Sequence, residues 1–154
     1  MEYIVRGIQE MNVVAREVVA AFSRSENAAT VLALSGDLGA GKTAFVKALA
    51  HELGIKETVT SPTFALLRTY IIPEHPGTLF RRLVHIDAYR LDEGDTMSSL
   101  GWHGIVAEPH NLVCIEWPER VEHILPKDMI PMVFTHVDEE TRKISMRNMK
   151  RGGA

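Results

Sequence analysis

The sequence is short of cysteine and of long apolar runs, and each shortage excludes a class of protein. Cys114 is the single cysteine among 154 residues, which excludes an internal disulfide framework and the usual cysteine-rich zinc sites. No stretch approaches the ~18 uninterrupted apolar residues that a membrane-spanning helix needs. Glu2, Arg6 and Glu10 interrupt the first apolar segment, which is unlike a secretory signal. We therefore expect a soluble, cytoplasmic protein with no membrane partner.

The sequence also lacks an excess of charge of either sign. Seventeen Lys and Arg residues against 20 Asp and Glu residues give a net charge of −3, which disfavours binding of nucleic acid through a whole basic face. Apolar residues make up 45% and charged residues 24%, which disfavours a disordered, collagenous or coiled-coil chain. A chain of this length is about one domain and buries roughly 70% of its unfolded surface. No repeat or linker divides it, so we expect a single domain over residues 1–154.

Strand patterns and helix patterns alternate along the chain. The first helix is predicted after a short strand at 3–5, and its apolar face carries Ile8, Met11, Ala15, Val18 and Phe22. A buried strand at 30–34 precedes a glycine-rich segment, after which helical spacing resumes until Gly54. Further elements are predicted as a helix within 92–99 and strands at 64–72, 79–86, 112–115, 128–137 and 143–147. This order predicts an α/β domain with a mixed sheet flanked by helices.

The C-terminal segment is unusually basic. It contains Arg142, Lys143, Arg147, Lys150 and Arg151. We interpret 142–154 as a solvated edge strand followed by a flexible tail. The alternative is an electrostatic contact with nucleic-acid phosphates or with an acidic partner.

The glycine-rich segment matches the phosphate-loop pattern G-x-x-x-x-G-K-[ST] at every required position. Its residues are Gly36, Asp37, Leu38, Gly39, Ala40, Gly41, Lys42 and Thr43. Such a loop wraps a triphosphate with its backbone N–H groups, and the following helix directs its positive dipole end at the phosphates. Lys42 would reach the outer phosphates, and the Thr43 hydroxyl would bind Mg²⁺. The strand before the loop and the helix after it support a P-loop NTPase-like fold.

Two acidic residues end apolar runs where an acidic partner of the magnesium is needed. Asp87 follows the run 83–86, and Glu116 follows the run 112–115. If these strands are parallel to the strand before the loop, both carboxylates lie at the same edge of the sheet as the phosphates. We favour Glu116 close to the metal and the attacking water, and Asp87 as a metal-orienting carboxylate. The guanine-specific Asn-Lys-x-Asp element is absent, so ATP is the expected nucleotide.

Four motifs in order resemble the TsaE (YjeE) family of P-loop ATPases, which acts in bacterial tRNA threonylcarbamoyladenosine (t6A) synthesis. These motifs are Leu34-Ser35 followed by the phosphate loop 36–43, Ser61-Pro62-Thr63-Phe64, His85-Ile86-Asp87-Ala88-Tyr89-Arg90-Leu91, and Ile115-Glu116-Trp117-Pro118-Glu119-Arg120. A phosphate loop alone is generic, whereas four motifs in this order are specific. From Met129 onward the resemblance is one of strand pattern only.

The resemblance implies an enzyme that binds ATP with Mg²⁺ and hydrolyses it slowly. It also implies a partner, the TsaD–TsaB complex, which modifies the adenosine next to the anticodon, so that contact with tRNA is indirect. The same resemblance gives Lys42, Asp87 and Glu116 catalytic roles, with Thr43, Glu116 and Asp87 at the metal. Ser61 and Thr63 would lie in a switch-like loop that senses the outer phosphate, and Trp117 would lie beside the nucleotide.

Two other functions use the same loop. A small-molecule kinase would transfer the phosphoryl group to an alcohol, although the chain shows no clear lid segment with its own arginine cluster. A nucleotide switch or scaffold would use ATP only to set the shape of a surface that binds a partner. Trp117 is open to two interpretations, a packing residue at a strand end or an aromatic wall near the nucleotide. His85 is expected to form a local hydrogen bond.

Overall fold

Seven strands and four helices succeed one another along the part of the chain that the computed structural model describes. That part comprises residues 1–62, 66–91 and 95–147, with the backbone alone for residues 95 and 96. The elements in chain order are β1 Glu2–Arg6, α1 Gly7–Ala21, β2 Thr30–Gly36, α2 Lys42–Glu52, β3 Leu67–Ile71, β4 Arg82–Asp87, α3 Asp95–Ser99, α4 Trp102–Ala107, β5 Asn111–Glu116, β6 Ile130–His136 and β7 Thr141–Met146. Two short 3₁₀ turns, Pro118–Arg120 and Glu122–Ile124, follow β5.

The strands form one mixed sheet in the order β1-β7-β6-β2-β5-β4-β3. The four central strands, β4, β5, β2 and β6, run parallel, while β3, β7 and β1 each pair antiparallel with their neighbours. The predicted α/β fold with a mixed sheet flanked by helices is therefore confirmed. Because β2, β4 and β5 are parallel, the chain leaves all three at one edge of the sheet, where ligand sites of open α/β sheets lie.

Side-chain alternation along the strands divides the core into two layers. On one face the apolar residues of β2, β4 and β5, such as Leu34, Leu83 and Leu112, pack with α1 and α2. On the other face Ile86 and Ile115 belong to a second cluster, which contains residues from α3, α4 and the turns after β5. This two-sided burial explains why the central strands read as continuous apolar runs.

The first helix departs from the predicted apolar face at its N-terminal end. Met11, Ala15 and Val18 are buried as predicted, but Ile8 is 78% exposed. The chain enters α1 at Gly7, whose φ is +83°, and Ile8 follows in the first turn of the helix. There the Ile8 side chain lines a surface groove and does not reach the core. No helix within the described ranges has the length and apolar character needed to span a bilayer.

The prediction that the basic C-terminal strand lies at an edge of the sheet is wrong. Strand β7 lies between β6 and β1, and it pairs antiparallel with both. The N-terminal strand covers β7, and Lys143 forms an ion pair with Glu2 across that pairing, at 3.2 Å from Nζ to Oε1. Lys150 and Arg151, together with the predicted flexible tail, lie outside the described residues, which end at 147.

Gly36 ends β2 where the neighbouring strand passes too close for a side chain. It pairs with Phe134 of β6, and a Cβ added at Gly36 would overlap the Phe134 carbonyl oxygen. Its φ of +150° also disfavours an L residue. Because the overlap is with backbone, the sheet itself would have to move.

Replacement of Gly36 with alanine is therefore expected to lower the free energy of unfolding by about 3 kcal/mol, since overpacking adds to backbone strain. Gly39 is the matched control, because it also has positive φ but has no atom within 4 Å of its added Cβ. Gly39→Ala should cost about 1 kcal/mol. Denaturant unfolding measures both values, and equal losses would show that the close approach to Phe134 is unimportant.

Candidate functional site

The turn between β2 and α2 is shaped by glycines in the left-handed region. Gly39 has a φ of +79° and Gly41 a φ of +106°, which glycine adopts without a Cβ penalty. Gly41 is also the N-cap of α2, and the first intrahelical bond runs from Phe45 N–H to Gly41 O at 2.9 Å. The N–H groups of the first helical turn are thus directed at the space above the loop, where an anion is favoured.

Lys42 is buried with its ammonium group folded back against the loop. It is 5% exposed, and Nζ donates to the Gly36 carbonyl oxygen and, at 3.4 Å, to the Asp37 carbonyl oxygen. Burial lowers the pKa of Lys42, and the neighbouring carboxylates, Glu116 foremost, oppose that shift. These two carbonyl groups and the surrounding carboxylates are what compensates this buried charge.

An aromatic pair covers Lys42. The Nζ atom lies 3.8 Å from the centroid of the Trp117 ring, a distance at which the ring quadrupole attracts a cation. The Tyr89 ring lies against Trp117 with centroids 5.1 Å apart, and Arg120 is stacked over Tyr89 at 5.5 Å. Trp117 itself has a φ of +60°, held by its N–H bond to the Leu34 carbonyl oxygen. The two rings thus lie between two cations, Lys42 and Arg120, and this stack fixes the position of Trp117 beside the loop.

The two predicted carboxylates meet at the ends of adjacent parallel strands. Asp87 of β4 and Glu116 of β5 are register partners, and Leu34 of β2 is the partner of Glu116 on its other side. The Thr43 hydroxyl lies 3.0 Å from Oε1 and 3.1 Å from Oε2 of Glu116 and donates to this carboxylate. Asp87 accepts the Tyr89 N–H at 3.0 Å. A hydroxyl and two carboxylates form the all-oxygen donor set that suits Mg²⁺.

A cavity of about 500 Å³ joins these groups. Its lining includes the predicted residues Leu38, Gly39, Ala40, Gly41, Lys42, Thr43, Ser61, Asp87, Glu116 and Trp117. Gly36 and Asp37 are not part of the lining; their carbonyl groups hold Lys42 from behind. Thr63 lies outside the described residues.

Several residues at the site were not among the predicted ones. Tyr89 and Arg90 line the cavity, and His85 forms a hydrogen bond with Glu116. All three belong to the His85–Leu91 motif, in which only Asp87 was given a catalytic or metal role. The hydrogen bond expected for His85 is formed with Glu116 of the neighbouring strand. Arg142 donates from Nε to the Gly39 carbonyl oxygen at 3.1 Å. That contact joins residues 103 positions apart in sequence, and no local pattern predicts it.

A second cavity of about 600 Å³ opens on the other side of the loop, between the start of α1 and α2. Met11 and Asn12 of α1, Lys47 of α2 and Arg142 of β7 are among its lining residues. Gly39, Gly41, Thr43 and Ala44 line both cavities. The two cavities therefore adjoin each other at the phosphate loop.

Comparison with known proteins identifies the family of the chain. The family model described as "Threonylcarbamoyl adenosine biosynthesis protein TsaE" matches residues 7–144, which include the loop, both carboxylates and Arg142. The chain belongs to the TsaE family. The tRNA threonylcarbamoyladenosine biosynthesis protein TsaE of a Nostoc species is 39% identical over 119 residues, covering 75% of this chain and 68% of the relative. The Bacillus subtilis protein of the same name is 35% identical over 133 residues, covering 84% and 74%.

A solved structure supports the family at the level of the fold. The crystal structure of Bacillus subtilis YdiB superposes with a TM-score of 0.71 at 29% sequence identity, covering 95% of this chain and 83% of that one. Membership of the TsaE family connects the chain with tRNA threonylcarbamoyladenosine biosynthesis and confirms the resemblance that the four motifs carry.

Proposed function

We propose that the protein is a Mg²⁺-dependent ATPase that supports threonylcarbamoylation of tRNA beside a TsaD–TsaB complex. The observation that carries this proposal is the convergence of Lys42, Thr43, Asp87 and Glu116 on one cavity above the N-terminus of α2. Family membership supports the proposed biological process, and the residues around the cavity support the proposed reaction. The partner complex is part of the proposal and rests on family membership alone.

The triphosphate would occupy the place of the contacts that Lys42 now makes. Its ammonium group directly contacts two loop carbonyl groups and the Trp117 ring, which are neutral, and the neighbouring carboxylates act on it at longer range. A phosphate oxygen carries a full negative charge, so its bond to Lys42 is stronger than these contacts. Lys42 would therefore turn from the loop towards the outer phosphates, while the N–H groups at the start of α2 bind them from below.

Thr43, Glu116 and Asp87 would hold the metal. When bound, Mg²⁺ neutralises the charge that develops on the outer phosphates. The Thr43 hydroxyl now donates to Glu116, so it must rotate away to offer its lone pair to a cation. Glu116 would then have a carboxylate oxygen available to orient the attacking water, with Asp87 fixed by its bond from the Tyr89 N–H.

The adenosine part would lie in the second cavity. Since four residues line both cavities, a nucleotide whose phosphates rest on the loop would have its adenosine part next to this space. Ile8, which is exposed, offers an apolar surface to a purine, and the Asn12 amide supplies both a donor and an acceptor. Of the described residues, Asn12 is thus our candidate for recognising the base through hydrogen bonds.

Measurement of ATP hydrolysis by the purified protein, alone and with the TsaD–TsaB complex and tRNA, tests the proposal. We expect slow hydrolysis by the protein alone and strong stimulation by the complex, lost when Lys42 is replaced with alanine. A phosphorylated small molecule found in place of free phosphate would support the kinase alternative. Nucleotide binding without any stimulated hydrolysis would overturn the ATPase proposal in favour of a switch.

The fluorescence of Trp117 is expected to report ATP binding. Its ring contacts the Lys42 ammonium group, which must move when phosphates arrive. Trp102, the other tryptophan, is buried, does not line the cavity and donates to the Ile124 carbonyl oxygen. In a Trp102→Phe variant, addition of ATP and Mg²⁺ should change the emission. The matched Trp117→Phe variant should show no change, and a response in that variant instead would place the moving group elsewhere.

A further inference from the structure

A buried histidine contacts the carboxylate at the centre of the site. His85 is 0% exposed, and its Nε2 atom lies 2.6 Å from Oε2 of Glu116. An ionised carboxylate can only accept hydrogen bonds, so Nε2 carries the proton and donates. Glu116 is itself only 4% exposed, so its carboxylate is oriented mainly by donors of the protein, of which His85 is one.

The sheet register explains how the two side chains meet. Cys114 is the partner of His85 in β5, and Glu116 follows two residues later, so all three side chains point to the α2 face. His85 therefore reaches diagonally along the strands to Glu116, from the apolar interior towards the edge where the loop lies. This direction places the imidazole below the carboxylate, on the side away from the cavity, and His85 does not line that cavity.

The other ring nitrogen has no hydrogen-bond partner in the part of the chain that the structure describes. Nδ1 of His85 is buried there without a hydrogen-bond partner. A proton on Nδ1 would be a buried N–H group without an acceptor, which costs about 1–3 kcal/mol. The surroundings thus favour the tautomer with its single proton on Nε2, where it is used to bind Glu116.

The Glu116 carboxylate is held between two donors. The Thr43 hydroxyl approaches from the cavity side and His85 from the interior side. If Thr43 turns towards a metal, as the proposed function requires, the bond from His85 remains. One donor thus leaves during the proposed cycle, whereas the other keeps the carboxylate in place.

We propose that His85 is a positioning residue that fixes the Glu116 carboxylate in the orientation needed to receive Mg²⁺. The inference rests on the proposed function for the metal, but the hydrogen bond is a property of the protein alone. Loss of a residue that orients a metal ligand commonly weakens metal affinity by about 10- to 100-fold. His85 would contribute through Glu116 and would not touch the nucleotide.

Two variants that differ in reach test the proposal. In His85→Gln the amide nitrogen falls near the position of Nε2, whereas in His85→Asn the side chain is too short to reach Glu116. ADP binding is measured by titration calorimetry at a series of Mg²⁺ concentrations. We expect His85→Asn to raise by about 10-fold the Mg²⁺ concentration at which the effect of Mg²⁺ on ADP affinity is half-maximal. His85→Gln should require a Mg²⁺ concentration close to that of the wild type, and ADP binding in EDTA should be unchanged in both variants.

A double-mutant cycle separates positioning from general damage. In a Glu116→Gln background the added His85→Asn substitution should change the Mg²⁺ requirement little, because the carboxylate it positions is already gone. An equal rise in the Mg²⁺ requirement in the wild-type and Glu116→Gln backgrounds would overturn the proposal. So would a wild-type Mg²⁺ requirement in His85→Asn. A wild-type protein that binds no nucleotide with Mg²⁺ would instead overturn the proposed function and, with it, this inference.

A measurement on the wild-type protein decides the case even if His85→Asn does not fold. Nitrogen-15 NMR of the histidine side chains should show His85 with a proton on Nε2 and none on Nδ1. This signal should shift in Glu116→Gln, which keeps the shape of the side chain but not its charge. An imidazole with an unprotonated Nε2 would contradict the bond to Glu116 and overturn the proposal.

Discussion

Replacement of Lys42 with alanine is expected to weaken ATP binding by on the order of 100-fold or more and to remove hydrolysis. Two charge-assisted hydrogen bonds to phosphate are worth about 3 kcal/mol together, which corresponds to that factor. Lys42 is positioned for this role by its place at the first residue of α2 and by its contacts with the loop carbonyl groups and Trp117. Titration calorimetry gives the affinity, and release of inorganic phosphate gives the rate.

The matched control for Lys42 is Lys56, an exposed lysine beyond the end of α2. Lys56→Ala removes the same charge from the protein and should bind ATP as the wild type does. Circular dichroism should show both variants folded, since the Lys42 side chain is not part of the apolar core. Undiminished ATP hydrolysis in Lys42→Ala would exclude this loop as the phosphate site.

Replacement of Glu116 with glutamine is expected to lower the rate of hydrolysis by about 10²- to 10³-fold, the usual range when one preorganised electrostatic group is lost. The substitution keeps the shape of the side chain, so the fold and ADP binding in EDTA should be preserved. The reason lies in geometry: Glu116 is the carboxylate in contact with the Thr43 hydroxyl, and it faces the phosphate loop. The rate should be measured over a range of Mg²⁺ concentrations.

Asp87→Asn is the companion variant for Glu116→Gln, because the two carboxylates are register partners on adjacent strands. Asp87 accepts the Tyr89 N–H, and an asparagine oxygen can still accept it. We therefore expect Asp87→Asn to keep the turn after β4 while losing the negative charge near the metal. A larger rise in the Mg²⁺ requirement for Asp87→Asn than for Glu116→Gln would exchange the roles given to the two residues.

The parts of the site that follow from local sequence were predictable. Glycines at 36, 39 and 41 are required by positive φ angles and, at 36, by the proximity of Phe134, so the loop pattern carries its own physical explanation. The meeting of Asp87 and Glu116 follows from two apolar runs that each end in a carboxylate, provided that the strands are parallel, which they are.

The parts that depend on distant pairing were not predictable from the sequence. The alternation of Lys143–Arg147 fits an edge strand, but nothing in that stretch indicates that β1, at the other end of the chain, pairs with it. Arg142 reaches the Gly39 carbonyl oxygen from β7, which pairs with β6, the strand next to β2. Ile8 had the right spacing for the core but lies in the first turn of α1, where a groove replaces the core. The role of Thr63 stays a prediction.

The most direct test of the central claim is t6A formation by a TsaD–TsaB complex supplied with excess threonylcarbamoyl donor and tRNA, with this protein added. We predict many modified tRNA molecules per complex with the wild-type protein and ATP. About one per complex is predicted with Lys42→Ala or with a non-hydrolysable ATP analogue. Equally extensive modification with Lys42→Ala, or with the analogue in place of ATP, would contradict the claim that hydrolysis at this site supports the reaction.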